Sequence, residues 1–328
     1  MLRRRMEAER HDPVPLTIKS QRTPSQWLAS GLAIVIVTVA VGLLYRTLSG
    51  YSRDEIVASL SDIPANRIGL AGLSAAASYL CLTGFDWLAL RYVGQQLPYR
   101  KVALTSFCSL SLGHNIGFAA LSSGAIRYRF YSRWGVSGGD VAKIILFCGT
   151  TVGLGLIILG GCALLLRSDL AAKVTGLSLA AVVGVGIACF ATVALYLGLS
   201  AYVRKPLRIR NWRIEMPSLR LAFGQVIIGP TNFAFVAACL YQTLAATGEV
   251  SYFEVAAVYV IANVSALLSH VPGGLGVIES VVLFLLPGGK VIGALVAFRV
   301  IYFLLPLTIG GTLFAMSELI FRRRKARA

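Results

Sequence analysis

The chain has 328 residues, of which 56% are hydrophobic and only 14% are charged, against about 25% charged residues in an ordinary soluble domain. A soluble globule of this size could not bury so much apolar surface, and the same composition excludes a disordered chain and a disulfide-stapled scaffold. The formal net charge is +17, but the basic residues lie between apolar runs, which favours membrane topology and lipid headgroups over nucleic acid as their explanation. The composition therefore predicts an all-α polytopic membrane protein.

Six apolar runs are long enough to cross about 30 Å of hydrocarbon as helices. In chain order they are Trp27–Arg46, Ile68–Leu90, Val141–Leu166, Thr175–Leu199, Leu219–Ala246 and Val291–Ile320. They define one transmembrane domain, residues 27–320, between a basic N-terminal tail, residues 1–26, and a basic C-terminal tail, residues 321–328. Neither tail reaches the length of about 100 residues that a catalytic domain of ordinary size needs.

Two further apolar stretches are interrupted and fit poorly as single spans. Val102–Ile126 contains the polar runs Gly113–Gly117 and Ser122–Gly124, and Tyr252–Leu286 is broken at Pro272-Gly273-Gly274. Proline and paired glycines end helices and free backbone groups that hydrocarbon cannot satisfy, so such breaks need protein or a water-filled cavity around them. We therefore predict two re-entrant helical hairpins in addition to the six full spans.

The distribution of Lys and Arg supports this topology. With a cytoplasmic N-terminus and both hairpins returning to their own side, the inside segments carry 24 basic residues and the outside segments carry 6, which leaves Arg299 within a span. A full crossing by residues 102–126 would instead place the basic C-terminal cluster outside. We therefore expect a multi-pass membrane protein with both termini in the cytoplasm.

The two hairpins would enter the membrane from opposite faces and in corresponding halves of the chain. Transporters use such broken segments in inverted repeats around a site near the bilayer midplane. The order of elements therefore suggests an inverted repeat, although the two halves share no clear residue-by-residue similarity.

The first candidate site follows the break in the first hairpin. Arg127, Arg129 and Arg133 lie among aromatic residues directly after a polar run. Arginine binds phosphate through two parallel hydrogen bonds, and Tyr and Trp favour the headgroup level of a bilayer. These three arginines are therefore candidates for binding an anionic lipid headgroup, and an ordinary cytoplasmic topology anchor is the alternative.

The second candidate site lies at the break in the second hairpin. Pro272, Gly273 and Gly274 bend the chain, and the half-helix that follows would direct its N-terminal amides into the protein, where they suit a phosphate. Glu279 is costly in lipid and needs a cavity or a cation, for which Arg299 is the candidate partner. A buried ion pair without any ligand is the alternative interpretation.

Weaker candidates lie near both hairpin tips. His114 and His270 could titrate or contact phosphate, although a histidine satisfied within the protein is the commoner case. Asn115, Asn232 and Asn263 could line a cavity or form hydrogen bonds between helices. We therefore include His114, Asn115 and His270 among the residues of the tips and cavity.

No catalytic or metal-binding motif stands out. The six cysteines lie inside apolar runs without a C-x-x-C pair, so we expect no cofactor, metal or disulfide framework. Asp86 and Glu318 lie near span ends, where we expect them to reach the interface. The pairs Gly153/Gly155 and Gly184/Gly186 could serve helix contacts within one chain or in a homo-oligomer.

These motifs carry a resemblance to a known family. Residues 115–118, 121–135 and 272–279 resemble the lysylphosphatidylglycerol synthase transmembrane region, which is the flippase half of MprF-type proteins and also occurs in standalone membrane proteins of the YbhN-like group. The similarity in membrane organisation covers roughly residues 25–320. Carried over by position, the family's arginine-rich motif falls on Arg127, Arg129 and Arg133, and its Pro-Gly-Gly motif falls on Pro272–Gly274 with Glu279 following.

The resemblance implies that the chain moves an anionic or aminoacylated phospholipid between leaflets. MprF-type proteins also carry a C-terminal synthase domain, which the chain ending at Ala328 lacks, so we expect it not to be an enzyme. Three alternatives stay open: a membrane subunit or lipid-binding partner of a separate synthase, a lipid-modifying transferase, and a carrier of a polyprenyl-linked lipid, glycolipid or hopanoid.

Overall fold

A computed structural model describes residues 61, 63–116, 119–203, 207–209, 212–269, 271–286 and 291–327. The N-terminal tail, the first predicted span and His270 lie outside these ranges. In chain order the α-helices are α1 (Ala65–Tyr92), α2 (Tyr99–Ile116), α3 (Ala119–Tyr131), α4 (Gly138–Leu166), α5 (Ser168–Thr175), α6 (Leu179–Tyr202), α7 (Leu219–Leu244), α8 (Tyr252–Ser269), α9 (Val277–Leu285), α10 (Val291–Arg299) and α11 (Leu305–Arg327).

Shorter elements join some of these helices. A 3₁₀ turn, Ser132–Trp134, follows α3, a second, Pro272–Gly274, lies between α8 and α9, and a π-helical segment, Val300–Leu304, connects α10 to α11. A small antiparallel hairpin of β1 (Leu207–Ile209) and β2 (Trp212–Ile214) occupies the basic loop between α6 and α7, where the sequence indicated no strand. The described chain is otherwise helical, as predicted for the all-α class.

Six described helical segments are long and apolar enough to cross a membrane. Five of them confirm predicted spans: α1, α4, α6, α7 and the continuous segment that begins with α10. The sixth is α8, which we had assigned to one arm of a hairpin. The last helix continues through Arg327, so the basic C-terminal residues extend α11 instead of forming a separate tail.

Helix ends follow local capping chemistry. Ser137 and Ser178 precede α4 and α6, and their hydroxyl groups accept hydrogen bonds from the amides of Asp140 and Ala181. Thr175, the predicted start of the fourth span, instead ends the short helix α5, because Gly176 adopts a left-handed backbone conformation at φ 69°.

Both predicted hairpins are present as packed helix pairs. In the first hairpin α2 packs along α3, and in the second α8 packs along α9. Helix α2 ends at Ile116, within the predicted polar run Gly113–Gly117, whereas the second polar run, Ser122–Gly124, is helical, contrary to the prediction. Polar side chains fit within these helices because they bond neighbouring carbonyl groups: Asn115 donates to Ser111 O at 2.8 Å, and Ser122 donates to Gly113 O at 3.3 Å.

The core places the two hairpins against each other. The most extensive helix contact joins α1 and α7, which occupy corresponding places in the two halves, and α4 packs on α6, α7 and α8. A methyl group built at Gly155 of α4 would lie 2.6 Å from the backbone of Gly229 in α7, so only glycine permits this approach. The α2 helix contacts the turn Pro272–Gly274, which brings the tips of the two hairpins together.

The other glycines of the two predicted pairs differ in their environment. Gly186 of α6 approaches Leu165 of α4, so it serves a contact within the chain, as Gly155 does. Methyl groups built at Gly153 and Gly184 would meet no atom within 4 Å.

Candidate functional site

The first hairpin carries a buried ion pair that the sequence did not reveal. Arg127 of α3 donates from Nε and Nη2 to the two carboxylate oxygens of Asp86 in α1, both at 2.8 Å. The Arg127 and Asp86 side chains are only 3% and 0% exposed. Asp86 therefore does not reach the interface, contrary to our expectation, because α1 packs its acidic residue against the hairpin.

Two hydroxyl groups complete this cluster. Tyr131 donates to Asp86 Oδ1 at 2.9 Å, and Arg127 Nη1 donates to Ser123 Oγ at 3.0 Å. A bidentate pair with additional hydrogen bonds is the geometry in which buried charges are tolerated. Arg127 thus already holds a carboxylate in the position where a phosphate was predicted, so an anion would have to displace or adjoin Asp86.

The second hairpin contains a matching ion pair, which confirms the predicted partnership of Glu279 and Arg299. Arg299 Nη2 lies 3.0 Å from Glu279 Oε2 and also donates to Gly274 O at 2.8 Å, while Nη1 donates to Gly273 O. The guanidinium group therefore satisfies both the carboxylate and the carbonyl groups that the Pro-Gly-Gly break exposes.

Glu279 also caps the half-helix that follows the break. Its Oε2 atom accepts a hydrogen bond from the amide of Gly276 at 2.9 Å, directly before α9 begins. Acidic residues stabilise helix N-termini in this way. The amide end that we predicted to suit a phosphate is therefore partly occupied by the protein's own carboxylate.

The glycines of this break are required for two separable reasons. Gly274 and Gly276 have φ values of 58° and 77°, which residues with a Cβ atom rarely adopt. A methyl group at Gly274 would also lie 2.9 Å from Ala266 Cβ and 3.0 Å from Ile278 Cδ1, whereas one at Gly276 would meet no atom within 4 Å.

We expect Gly274→Ala to destabilise the protein more than Gly276→Ala. Gly276→Ala should cost about 1–2 kcal/mol through backbone strain alone, and Gly274→Ala should add about 1–3 kcal/mol of overpacking. Thermal unfolding of the detergent-solubilised variants, followed by size-exclusion profiles, measures the difference. Equal midpoints for the two variants would contradict the packing at Gly274.

A third charged cluster joins the end of the first hairpin to the last helix. Arg129 Nη2 lies 2.9 Å from Glu318 Oε2, and Arg133 Nη2 bonds the other carboxylate oxygen. Glu318 is 7% exposed, so it is buried by two arginines and does not extend to the interface as expected. Two guanidinium groups share one carboxylate, and the Nη1 atom of Arg133 is buried without a hydrogen-bond partner among the described residues. Arg129 and Arg133, two of the predicted headgroup arginines, therefore carry one more positive charge than the carboxylate of Glu318 neutralises.

A cavity of about 530 Å³ lies between the two hairpins. Its wall includes His114, Ser123 and Arg127 from the first hairpin and Gly273 and Gly274 from the second. The rest of the lining is mostly apolar or aromatic, with polar positions at Asn232, Tyr259, Asn263 and Tyr302. The cavity therefore extends from the Asp86–Arg127 ion pair to the Pro-Gly-Gly break, whose carbonyl groups Arg299 bonds.

Some polar side chains of this wall are linked to each other. Ser78 Oγ lies 2.8 Å from Asn232 Oδ1 and 3.0 Å from the hydroxyl group of Tyr302, and Asn263 Nδ2 lies 3.0 Å from the hydroxyl group of Tyr259. Asn232 and Asn263 line the cavity, as the sequence suggested, whereas Asn115 bonds its own helix and does not line it. The sequence did not single out Ser78, Tyr259 or Tyr302.

The cavity reaches the surface between two helices. Gly149 of α4 and Leu267 of α8 line it and are also exposed. Both helices are long and apolar enough to span the membrane, so the opening lies on a face suited to lipid contact.

Comparison with known proteins identifies the family. Residues 29–310 match the family model described as the lysylphosphatidylglycerol synthase transmembrane region. The chain belongs to this family. Two ion pairs of this chain, Asp86–Arg127 and Glu279–Arg299, lie inside the matched residues, whereas Glu318 lies beyond them.

Similar proteins occur in several bacteria. The chain is 31% identical over 302 residues to the uncharacterized protein slr0712 of Synechocystis, covering 91% of this chain and 94% of the relative. It is 30% identical to the inner membrane protein YbhN of Escherichia coli, covering 80% and 84%. It is also 25% identical to a phosphatidylglycerol lysyltransferase of Staphylococcus aureus, covering 86% of this chain but only 32% of the relative. The chain is thus a multi-pass membrane protein of this family.

Proposed function

We propose that this protein translocates a phospholipid with an anionic or aminoacylated headgroup between the leaflets of the bacterial cytoplasmic membrane. The observation that carries this proposal is the cavity between the hairpins, which contains charged and polar groups and opens toward the lipid between α4 and α8. The headgroup would cross through the cavity while its acyl chains stay in the bilayer.

The physical barrier to lipid translocation is the transfer of the headgroup through hydrocarbon. A charged group at the bilayer centre costs at least about 2.5–3.5 kcal/mol, and considerably more on some scales. Arg127, Asn232 and Asn263 supply hydrogen-bonding groups along the cavity wall. They would replace part of the water that the headgroup loses, which lowers this barrier.

The ion pairs favour a headgroup that carries both charges. Arg127 and Arg299 each hold a carboxylate, so a simple anion must compete with Asp86 or Glu279. A headgroup with a phosphate and an ammonium group can engage both members of an opened pair. This supports an aminoacylated phospholipid over a lipid with a phosphate alone.

The membrane and orientation form part of the proposal. The relative YbhN is named an inner membrane protein, which supports the same membrane for this chain. The excess of basic residues in alternate loops supports cytoplasmic termini.

We expect Gly149→Leu to abolish translocation while the protein stays folded. Gly149 lines the cavity opening, and a methyl group built there meets no atom within 4 Å, so a larger side chain enters free space. Gly153→Leu is the matched control: it lies one turn further along α4, has equal free space and does not line the cavity.

The measurement uses proteoliposomes with a fluorescent phosphatidylglycerol or its lysyl derivative, in the presence and absence of a pH gradient. Dithionite bleaches label from the inner leaflet only when the lipid crosses. The wild type and Gly153→Leu should accelerate bleaching, and Gly149→Leu should match protein-free vesicles. The proposal is wrong if the wild type accelerates neither lipid, or if both leucine variants behave alike.

A second candidate function is a membrane partner for a separate lipid-modifying synthase. The supporting observation is that the chain matches about a third of the Staphylococcus aureus relative, whose name is that of a lysyltransferase. In this alternative the chain binds lipid for a synthase made as another polypeptide. Stable co-purification with such a synthase, together with no translocation by the chain alone, would favour it over the transporter.

A further inference from the structure

A second pocket, of about 480 Å³, lies where α1 ends and α2 begins. It is lined by Trp87, Leu90, Arg91, Gly94, Gln95, Gln96, Leu97 and Val102, none of which lines the cavity between the hairpins. We propose that this pocket binds the phosphate group of an anionic lipid at the membrane surface.

One cation that lines the pocket, Arg91, and a second beside it, Lys101, are held above tryptophan rings. The Arg91 guanidinium carbon lies 3.5 Å from the centroid of the Trp87 ring, and at the start of α2 Lys101 Nζ lies 5.1 Å from that of Trp134. Cation–π contacts of this kind fix the direction of long basic side chains, and tryptophan favours the headgroup level of a bilayer. Arg91 lies in the last turn of α1, directly after the predicted span Ile68–Leu90.

The surroundings of the pocket supply donors and positive charge without a carboxylate partner. Arg91, Arg100 and Lys101 are exposed, and no ion pair in the described part of the chain involves them. The first turn of α2 contains no acidic residue, so the helix dipole adds to the positive potential.

The ligand chemistry follows from these donors. Guanidinium and ammonium groups donate hydrogen bonds and accept none, and the amide groups of Gln95 and Gln96 add further donors. A ligand that matches them must bring several acceptor oxygens and a negative charge, which describes a phosphate. Basic pockets at the ends of transmembrane helices bind anionic lipid headgroups by the same chemistry.

The shape of the turn keeps the pocket open. Gly94 has φ 73°, and its amide bonds Arg91 O at 3.1 Å, while the Gln95 amide bonds Leu90 O at 2.9 Å. A methyl group at Gly94 would meet no atom within 4 Å. The chain therefore turns sharply away from α1 and leaves space beside Arg91.

The test compares phosphatidylglycerol with phosphatidylcholine by native mass spectrometry of the full chain in detergent. We expect the double variant Arg91→Gln/Lys101→Gln to bind phosphatidylglycerol at least about tenfold more weakly, because the loss of a single charge-assisted hydrogen bond already has an effect of about tenfold. Its binding of phosphatidylcholine should not change. Arg220→Gln, which removes an exposed charge at the start of α7, is the control and should keep wild-type affinity.

Two results would overturn the proposal. Equal loss of phosphatidylglycerol in Arg220→Gln would show that net charge alone attracts the lipid. If equimolar inorganic phosphate displaced the bound lipid, the pocket would be a binding site for a soluble anion and not for a lipid. The assay measures binding and not movement, so failure of this proposal and failure of the proposed translocation are distinguishable.

Discussion

Asp86→Asn is expected to lower the free energy of unfolding by about 3–5 kcal/mol, because Arg127 would keep its charge in a buried site without a counter-ion. This is a large part of the stability of about 5–15 kcal/mol that a folded protein usually has. Thermal unfolding in detergent, followed by intrinsic fluorescence, measures the loss. We also expect lower yields of monodisperse protein from the membrane.

The double variant Asp86→Asn/Arg127→Gln separates charge balance from function. It removes both charges, so most of the lost stability should return, although Tyr131 then bonds a neutral amide. If Arg127 binds the headgroup, the double variant should not translocate lipid. A single variant as stable as the wild type would contradict the buried pair, and a double variant that translocates lipid normally would remove Arg127 from the proposed site.

Arg299→Gln is expected to have an effect of similar size at the second hairpin. Arg299 donates to Glu279 and to the carbonyl groups of Gly273 and Gly274, so its loss leaves the partly buried Glu279 carboxylate and two carbonyl oxygens without this donor. The expected loss of stability is about 3–5 kcal/mol. Arg299→Lys should recover only part of it, because one ammonium group cannot reproduce the planar fork of donors.

Arg129→Gln is the matched control for this prediction. It removes an arginine that also contacts a carboxylate, but Glu318 keeps Arg133 as a partner, so the loss should be below about 1 kcal/mol. Both variants can be compared by thermal unfolding and by lipid translocation in the same vesicles. If Arg129→Gln destabilised the protein as much as Arg299→Gln, the hydrogen bonds of Arg299 to the Pro-Gly-Gly break would not explain the loss.

The sequence predicted the pair at the second hairpin because few partners were available. Arg299 was the basic residue left within a span, and Glu279 lay close to a break that needed compensation. It did not predict the Asp86–Arg127 pair, since each residue lies near the end of an apolar run and could have reached water. Only the packing of α1 against the first hairpin removes both from the surface. The sequence feature that could have revealed this pair is that an acidic and a basic residue each follow several apolar residues.

The positions of the spans were easier to predict from the sequence than the details of the hairpins. Continuous apolar length determines spans, and Pro-Gly-Gly has few conformations open to it, so five of the six described spans and the second break were predicted closely. The first break was predicted less closely, because a polar run can remain helical: Asn115 bonds the preceding turn of α2, and Ser122–Gly124 lies within α3. A cavity between the hairpins was predicted, but most of its lining residues could not be, since they come together only through packing between elements far apart in sequence.

The pairing of charges also determines how the protein responds to the membrane potential. Each elementary charge that crosses the full membrane potential exchanges about 2.3 kcal/mol per 100 mV with the electric field. Asp86–Arg127 and Glu279–Arg299 each join a hairpin to a neighbouring helix and are electrically neutral, so a movement that keeps both members of a pair together does almost no electrical work. The voltage dependence of the proposed transport would then be set by the lipid: an anionic headgroup and a lysylated, cationic one would be driven in opposite directions by the same potential.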